Sequence, residues 1–579
     1  MTATELTPTD TGLPAADTRS ALANLIRPAQ AKLDPLGLIP ASGTVAARAV
    51  TNTGGFTRAT ARLALGLAQT PLAAAARATG LSVSPPVDPD PRDRRFSDPT
   101  WEGNAAFFAL HQLYAVACRY ADDVLEAGNR GNDLHDQKAA FGLRLLTEAL
   151  APVNFPLTNP EVLVKALQTG GGSLVQGAML ALHDLQHGGG LPEKVDSSTF
   201  ELGRDMAATP GKVVFRNDLV ELIQYAPQTD TVHAVPILCS PPWINKYYVM
   251  DLAPERSFVE WAIRHGRTVF MVSYRNPDES MRDVTMDDYL AQGVLETLDV
   301  VSNITKSDKI DLVGVCLGGA MATMAAAHLA ARGDTRLNSL TMMNTLLDYS
   351  EPGELGAMTD EETLSRLELR MAETGFLPSE DMALTFDLLR PRDLIFRYIP
   401  TRWLQGDPAA PFDILAWNGD STRMPAAMHA TYLRDLYLNN LLVKGEFAIG
   451  GQQLDLDDVT VDTYVVGAIN DHIVPWTSSY AATQVLGGKV RYILSSGGHI
   501  AGIVNPPTPK AWYVATEPGQ DSPADPQQWH AAGTRHTASW WEDWTQWSTE
   551  RAGEMVAPPK MGSRKYRPLE EAPGSYVHG

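Results

Sequence analysis

Asp311-Leu312-Val313-Gly314-Val315-Cys316-Leu317-Gly318-Gly319 is the stretch on which the reading of this 579-residue chain turns. Residues 309–315 form an apolar run of strand length, and 318–332 is an alanine-rich run of helical length that closes at Gly333. A strand that stops abruptly, a side chain raised on a tight turn and a helix beginning beneath it make a nucleophile elbow, with glycines where a Cβ would clash. The residue raised on this turn is Cys316, where a serine is usual. A helix N-terminus below a thiol favours the thiolate and offers backbone N–H groups to an oxyanion. The expectation is an acyl-transfer enzyme working through Cys316.

In such folds the partners follow in the order nucleophile, acid, histidine. Residues 461–470 read as a strand running into Asp471-His472-Ile473-Val474-Pro475-Trp476, which puts a carboxylate at a strand's C-terminal end. Residues 490–495 read as the next strand and lead through Ser496-Gly497-Gly498 to His499 on a glycine-flexible loop. His499 is then the base for the Cys316 thiol, and Asp471 fixes its tautomer and supports the imidazolium. Thiolate attack on a thioester exchanges one thioester for another of similar energy, which keeps the acyl group activated. Transfer is therefore favoured over hydrolysis.

A net charge of −21 argues against a general nucleic-acid binder and against attachment to anionic lipid by charge. Cys118, Cys239 and Cys316 are too few and too scattered for a disulfide framework or a structural zinc site, which suits a reducing cytoplasm. The first residues lack a basic start and an apolar core, so no secretory signal is expected, and the small-apolar run 320–331 is too short to span a bilayer.

The chain divides into three parts. Residues 1–94 read as an N-terminal arm and linker: a disordered start to about residue 18, then 19–80 with seven Lys or Arg and one acidic residue, Asp34, then the proline-rich 85–91. The cationic stretch predicts one or two amphipathic helices, either solvated or contacting an apolar surface or partner. Residues 95–202 read as a helical domain with apolar residues at i, i+3 and i+4, and the triple glycines at 170–172 and 188–190 as turns. Residues 203–579 alternate strands and helices, with a hairpin at the start and the rhythm interrupted at about 345–454 by an insertion read as a cap over the site.

The loop Pro241-Pro242-Trp243-Ile244-Asn245-Lys246 ends the third strand, where this architecture takes its second oxyanion donor; the candidates are the N–H of Leu317 and one near Ile244. Trp243 is read either as a wall of the acyl pocket or as a core residue. Trp540, Trp541, Trp544 and Trp547 lie close to helical spacing and are expected to pack onto the body.

These residues closely resemble the poly(3-hydroxyalkanoate) synthases of the single-subunit class I or II type. The resemblance runs from about residue 95 to the C-terminus and rests on Thr209-Pro210-Gly211-Lys212-Val213-Val214, Pro241-Pro242-Trp243-Ile244-Asn245-Lys246-Tyr247-Tyr248, Tyr274-Arg275-Asn276-Pro277, the Cys316 elbow, Trp417-Asn418-Gly419-Asp420, Asp471 to Trp476 and Gly498-His499-Ile500-Ala501-Gly502. It implies an α/β-hydrolase-type fold that polymerises (R)-3-hydroxyacyl-CoA into an intracellular polyester, releasing CoA at the surface of cytoplasmic storage granules. Cys316 is then the nucleophile, His499 the base and Asp471 the third member, either orienting His499 or also helping to activate the substrate hydroxyl; His472 is supporting and structural. The resemblance further implies a homodimer, granule or phasin contact through 19–80, and no metal, cofactor or prosthetic group. Length favours class I and 3-hydroxybutyryl-CoA. Its rivals are a cysteine-dependent thioesterase or polyester hydrolase of the same fold, and a non-catalytic granule scaffold.

Overall fold

The computed structural model describes residues 34–81, 83–131, 133–520 and 522–579. The expected disorder up to about residue 18 and the arm residues before 34 lie outside them.

An apolar run with no polar alternation is what a strand buried on both faces requires. Largely apolar and largely buried runs build the centre of the sheet: β1 Gly211–Arg216, β2 Val220–Tyr225, β3 Ile237–Ser240, β4 Val269–Tyr274, β5 Ile310–Val315, β6 Leu337–Met343, β7 Asp462–Ala468 and β8 Val490–Ser495. With β9 Tyr513–Ala515, β10 Thr534–His536 and β11 Glu570–Glu571 they make one sheet in the order β10-β9-β8-β7-β6-β5-β3-β4-β2-β1-β11. The six strands from β8 to β4 are parallel, and the flanks on both sides are antiparallel. The fold is thus the α/β-hydrolase type with a mostly parallel sheet. The hairpin expected at its start is the β1/β2 pair. The tail's three short strands carried no periodic signal, and β11 returns to cover the edge of β1.

Residues 38–78 do not stand apart as an arm. Helices α1 Leu38–Thr51 and α2 Thr53–Ala78 lie against α3 Ala105–Gly128 and α4 Leu134–Ala149. Their buried positions are small, including Ala41, Ala49, Ala59, Gly66 and Ala73, so backbones approach closely, while Ile39, Val50, Leu65, Leu67 and Leu72 stand exposed. Arg48 pairs with Asp133 and Asp136, and Arg62 with Asp123, so part of the cationic character is used inside this layer. The proline-rich segment is tied down as well: Val87 exchanges two hydrogen bonds with the Gln112 side chain.

The turn expected at the triple glycine 170–172 separates two helices, α5 Pro160–Gln168 and α6 Gly172–His187, where Gly170 and Gly171 take φ of 57° and 87°. In the catalytic part, α7 Phe258–Arg264 and α8 Glu296–Thr305 flank the sheet, and α9 Leu317–Ala331 follows the elbow. Between β6 and β7 the chain forms α10 Glu361–Thr374, α11 Ser379–Leu389 and α12 Asp413–Gly419, with π-helical turns between. The N-terminal helical layer meets this insertion through Lys138–Asp360, Arg144–Glu354, Glu148–Arg392, Asp184–Arg402 and Lys194–Asp387. After β8, α13 Trp540–Thr549 buries all four of its tryptophans, against Phe258 and Tyr464 among others. No helix among the described residues is long and apolar enough to cross a membrane.

Candidate active site

Cys316 sits between the end of β5 and the start of α9 with φ 51° and ψ −116°, a conformation that an L residue holds only when its surroundings impose it. The glycines impose it here. A Cβ on Gly318 would collide with the carbonyls of Ser240 and Pro241, and one on Gly314 with Gly318 and Gly319, so the turn closes only with hydrogen at both positions. The Cys316 N–H donates to Met343 O at 2.8 Å, which fastens the turn to β6.

The end of β7 delivers Asp471 and the end of β8 delivers His499. One Asp471 oxygen lies 2.7 Å from His499 Nδ1, and the other accepts the N–H groups of Ile473 and Val474 at 2.9 Å each. That leaves Nε2 of His499 for the thiol, and the ring and Cys316 line the same cavity. Burial disfavours the imidazolium, but Asp471 and Cys316 outweigh it and push the His499 pKa up to about 10. The backbone carbonyl of His499 accepts a hydrogen bond from the Asn344 side chain, which holds the loop.

Leu317 is the first residue of α9, so its N–H has no partner within the helix and is available at the turn. Ile244 lines the cavity at Cys316 together with Pro242, Asn245, Phe386, Trp417 and Ile473. Trp243 does not line it: its ring is buried 5.5 Å from Tyr289 and 6.0 Å from Tyr432, so of its two readings the core one applies. The tryptophan at the cavity is Trp417, quoted above in a motif without a role. Phe386 carried no sequence signal, because α11 reaches the site from inside a long insertion with no strand register to follow.

His472 faces away from the cysteine into a separate chamber of about 1030 Å³ under the N-terminal helices, lined also by Arg95, Arg144, Glu148 and Arg390. Burial, then the neighbouring His499 and Arg390, bring its pKa down to about 4. It is a neutral group beside the dyad. Among the described residues no group of three or more His, Cys, Asp or Glu is placed to hold a metal.

The cavity at Cys316 measures about 40 Å³, room for a few waters and well short of the several hundred Å³ that a bound ligand occupies. The arrangement can pair a thiol with an imidazole in a narrow, largely apolar cavity; admitting a substrate requires the cap side chains to move.

Residues 92–262 match the family model described as the poly-beta-hydroxybutyrate polymerase (PhaC) N-terminus, and 240–506 match the model for the alpha/beta hydrolase fold. The chain is 42% identical to a poly(3-hydroxyalkanoate) polymerase of Methylorubrum extorquens over 504 residues, 86% of this chain and 83% of that one. It is 41% identical to the poly(3-hydroxyalkanoate) polymerase subunit PhaC of Cupriavidus necator, covering 84% and 83%. It is 39% identical to poly(3-hydroxyalkanoate) polymerase 1 of Ectopseudomonas oleovorans, covering 85% and 87%.

Proposed function

The chain belongs to the poly(3-hydroxyalkanoate) polymerase family, and from that premise we propose that it polymerises (R)-3-hydroxybutyryl-CoA through a covalent thioester on Cys316. The coarser statement follows from membership: it is an acyltransferase that takes an acyl-CoA and makes a polyester. The observation that carries the finer one is the 2.7 Å bond between Asp471 and His499, with the ring on the same cavity as a cysteine on a strained elbow.

The chemistry proceeds in two transfers. His499 already holds the thiol proton as the imidazolium when Cys316 Sγ attacks the thioester carbonyl, and the N–H groups of Leu317 and Ile244 receive the oxyanion. The tetrahedral species collapses with loss of CoA thiolate, which takes the proton from His499, and the acyl group stays on Cys316. The 3-hydroxyl of another hydroxyacyl unit, deprotonated by His499, then attacks that carbonyl, forming the ester and returning the cysteine. A narrow cavity lined mainly by apolar side chains supports hydroxyl attack over hydrolysis.

The test is CoA release from (R)-3-hydroxybutyryl-CoA with turbidity followed in the same cuvette, for wild type and Cys316→Ala. Release with turbidity, both lost in Cys316→Ala, is the expected result; release into clear solution with free 3-hydroxy acid would identify a hydrolase.

For the reading as an enzyme at granule surfaces, the supporting feature is an uncharged aliphatic face on α5 and α6, outside the 19–80 stretch to which the sequence assigned that contact. There Leu167, Val175, Met179, Leu182 and Leu185 stand exposed while the small residues of α6, Ser173 and Gly177, face inward. An uncharged polyester matches such a face better than a charged protein surface does. Replacing Val175, Met179 and Leu182 by Gln should release the enzyme from polyester particles without changing its oligomeric state.

A further inference from the structure

The motif Trp417-Asn418-Gly419-Asp420 has a place in the fold that the dyad chemistry does not use. It ends α12 on the returning leg of the cap insertion and continues into Ser421 and Thr422. This leg is bound along the loop that follows β3. Thr422 Oγ1 donates to Trp243 O at 2.7 Å, and the Thr422 N–H donates to Ile244 O at 3.3 Å. The Trp417 indole N–H donates to Lys246 O at 2.8 Å, Asn245 and Ser421 form an antiparallel bridge, and the Tyr248 hydroxyl donates to Asp420 at 2.7 Å. Thr422, Trp417 and Trp243 are all buried, so none of these bonds is exchanged for water without cost.

A peptide unit is planar and trans, so its C=O and the following N–H point in opposite directions. The Trp243 carbonyl and the Ile244 N–H belong to one such unit, and the Ile244 carbonyl and Asn245 N–H to the next. Fixing both carbonyls from the cap side fixes both N–H groups toward the other side, and Thr422 fixes both through its hydroxyl and its own N–H. Ile244 and Asn245 also line the cavity around Cys316, next to Trp417 and Asn418 of the same cap leg.

We propose that Thr422 is a positioning residue that aims the Ile244 N–H at the reacting carbonyl, so that the oxyanion site is assembled only while the returning leg of the cap is seated. The inference rests on the reading above that Ile244 supplies an oxyanion donor. It makes cap position and transition-state stabilisation one property: a cap displaced to admit substrate carries the Trp243–Ile244 peptide out of aim, and re-seating restores it.

The test is steady-state CoA release from (R)-3-hydroxybutyryl-CoA by the full-length enzyme as Thr422→Val, Thr422→Ser and Cys316→Ala, each assayed well below its own Tm. Thr422→Val keeps the shape and removes the donor; its kcat should fall about 10- to 100-fold with KM within about twofold, because an oxyanion donor acts on the transition state and not on bound substrate. Thr422→Ser restores the hydroxyl and should recover kcat to within about threefold. If Thr422→Val does not fold, Thr422→Cys, a weaker donor, should fold and show an intermediate kcat. An unchanged kcat in the Val or Cys variant, or a loss that appears in KM alone, overturns the proposal. Activity remaining in Cys316→Ala would overturn the cysteine reading itself, and this inference with it, whereas an inactive Cys316→Ala beside a fully active Thr422→Val removes only the positioning role.

Discussion

Both oxygens of Asp471 are committed, one to His499 Nδ1 and the other to two backbone N–H groups. An Asn at 471 retains the second role and fails in the first, because its amide N–H₂ faces a ring nitrogen that must itself donate. Asp471→Asn is therefore expected to fold, to lose about 10²- to 10⁴-fold in kcat, and to bring the His499 pKa down from about 10. An NMR titration of the imidazole checks this, and an unmoved titration would contradict it. The histidines also bound the pH range of stability. His499 is held protonated, so its contribution is complete below its ordinary value near 6.5 and is lost as pH rises through about 10. His429 and His472 are held neutral, both at about 4, so theirs is present above about 6.5 and lost as pH falls through about 4. Desolvation alone depresses His429, which is fully buried, and a fall from 6.5 to about 4 amounts to about 3 kcal/mol. His429→Gln should flatten the decline of Tm between pH 6.5 and 4; a decline as steep as in wild type would show that other groups drive acid unfolding.

At the scale of elements, the elbow strand is held at its far end by a buried ion pair. Asp311, on β5, pairs with Arg267, and its other oxygen accepts from Asn338 and Ser339 of β6. Arg267 also bonds Ser548 of α13 and the Val235 carbonyl, so one guanidinium joins the tail helix to the strand carrying Cys316. Arg267→Met leaves the Asp311 carboxylate buried without its cation and is expected to cost about 3–5 kcal/mol in urea unfolding; a loss below about 1 kcal/mol would mean that the β6 hydroxyl and amide suffice. The elements legible in sequence were those whose burial is total. β5 and β8 each carry an apolar run interrupted by one charged residue, Asp311 and Arg491, and Cys316, Asp471 and His499 stand at or just beyond strand ends where chain order alone identifies them. What was not legible depends on contacts that leave no period. β10 and β11 are edge strands of two or three mostly charged residues, paired only because the tail wraps back. The side to which Trp243 turns is decided by Tyr289 and Tyr432 from two other segments, and α3 begins afresh after a short turn of helix at Thr100–Gly103, at Asn104, whose side chain caps Ala106 and Phe107.

For the whole molecule, the N-terminal helical layer is joined to the cap by ion pairs of very different character. Arg144 and Glu354 form a two-pronged pair at 2.6 and 2.7 Å, but both side chains remain about one-third exposed, at 34% and 37%. Asp184 and Arg402 are 1% and 4% exposed, and the Asp184 carboxylate also accepts the Trp403 indole N–H at 2.8 Å and the Glu193 N–H at 3.2 Å. Solvent and salt screen the first pair, so Arg144→Met should cost no more than about 1 kcal/mol. Arg402→Met strands a carboxylate with only neutral donors and should cost about 3–5 kcal/mol. The second loss falls where α6 lies against the π-helical turn Ile399–Leu404, so it loosens the layer and the cap together. Hydrogen exchange distinguishes the two substitutions: Arg402→Met should raise exchange in both α6 and 399–404 while leaving β5 and β6 protected, and Arg144→Met should leave both segments near wild type. Equal exchange in the two variants would mean that apolar packing, such as Phe141 with Leu389, joins the layer to the cap without help from the buried charge.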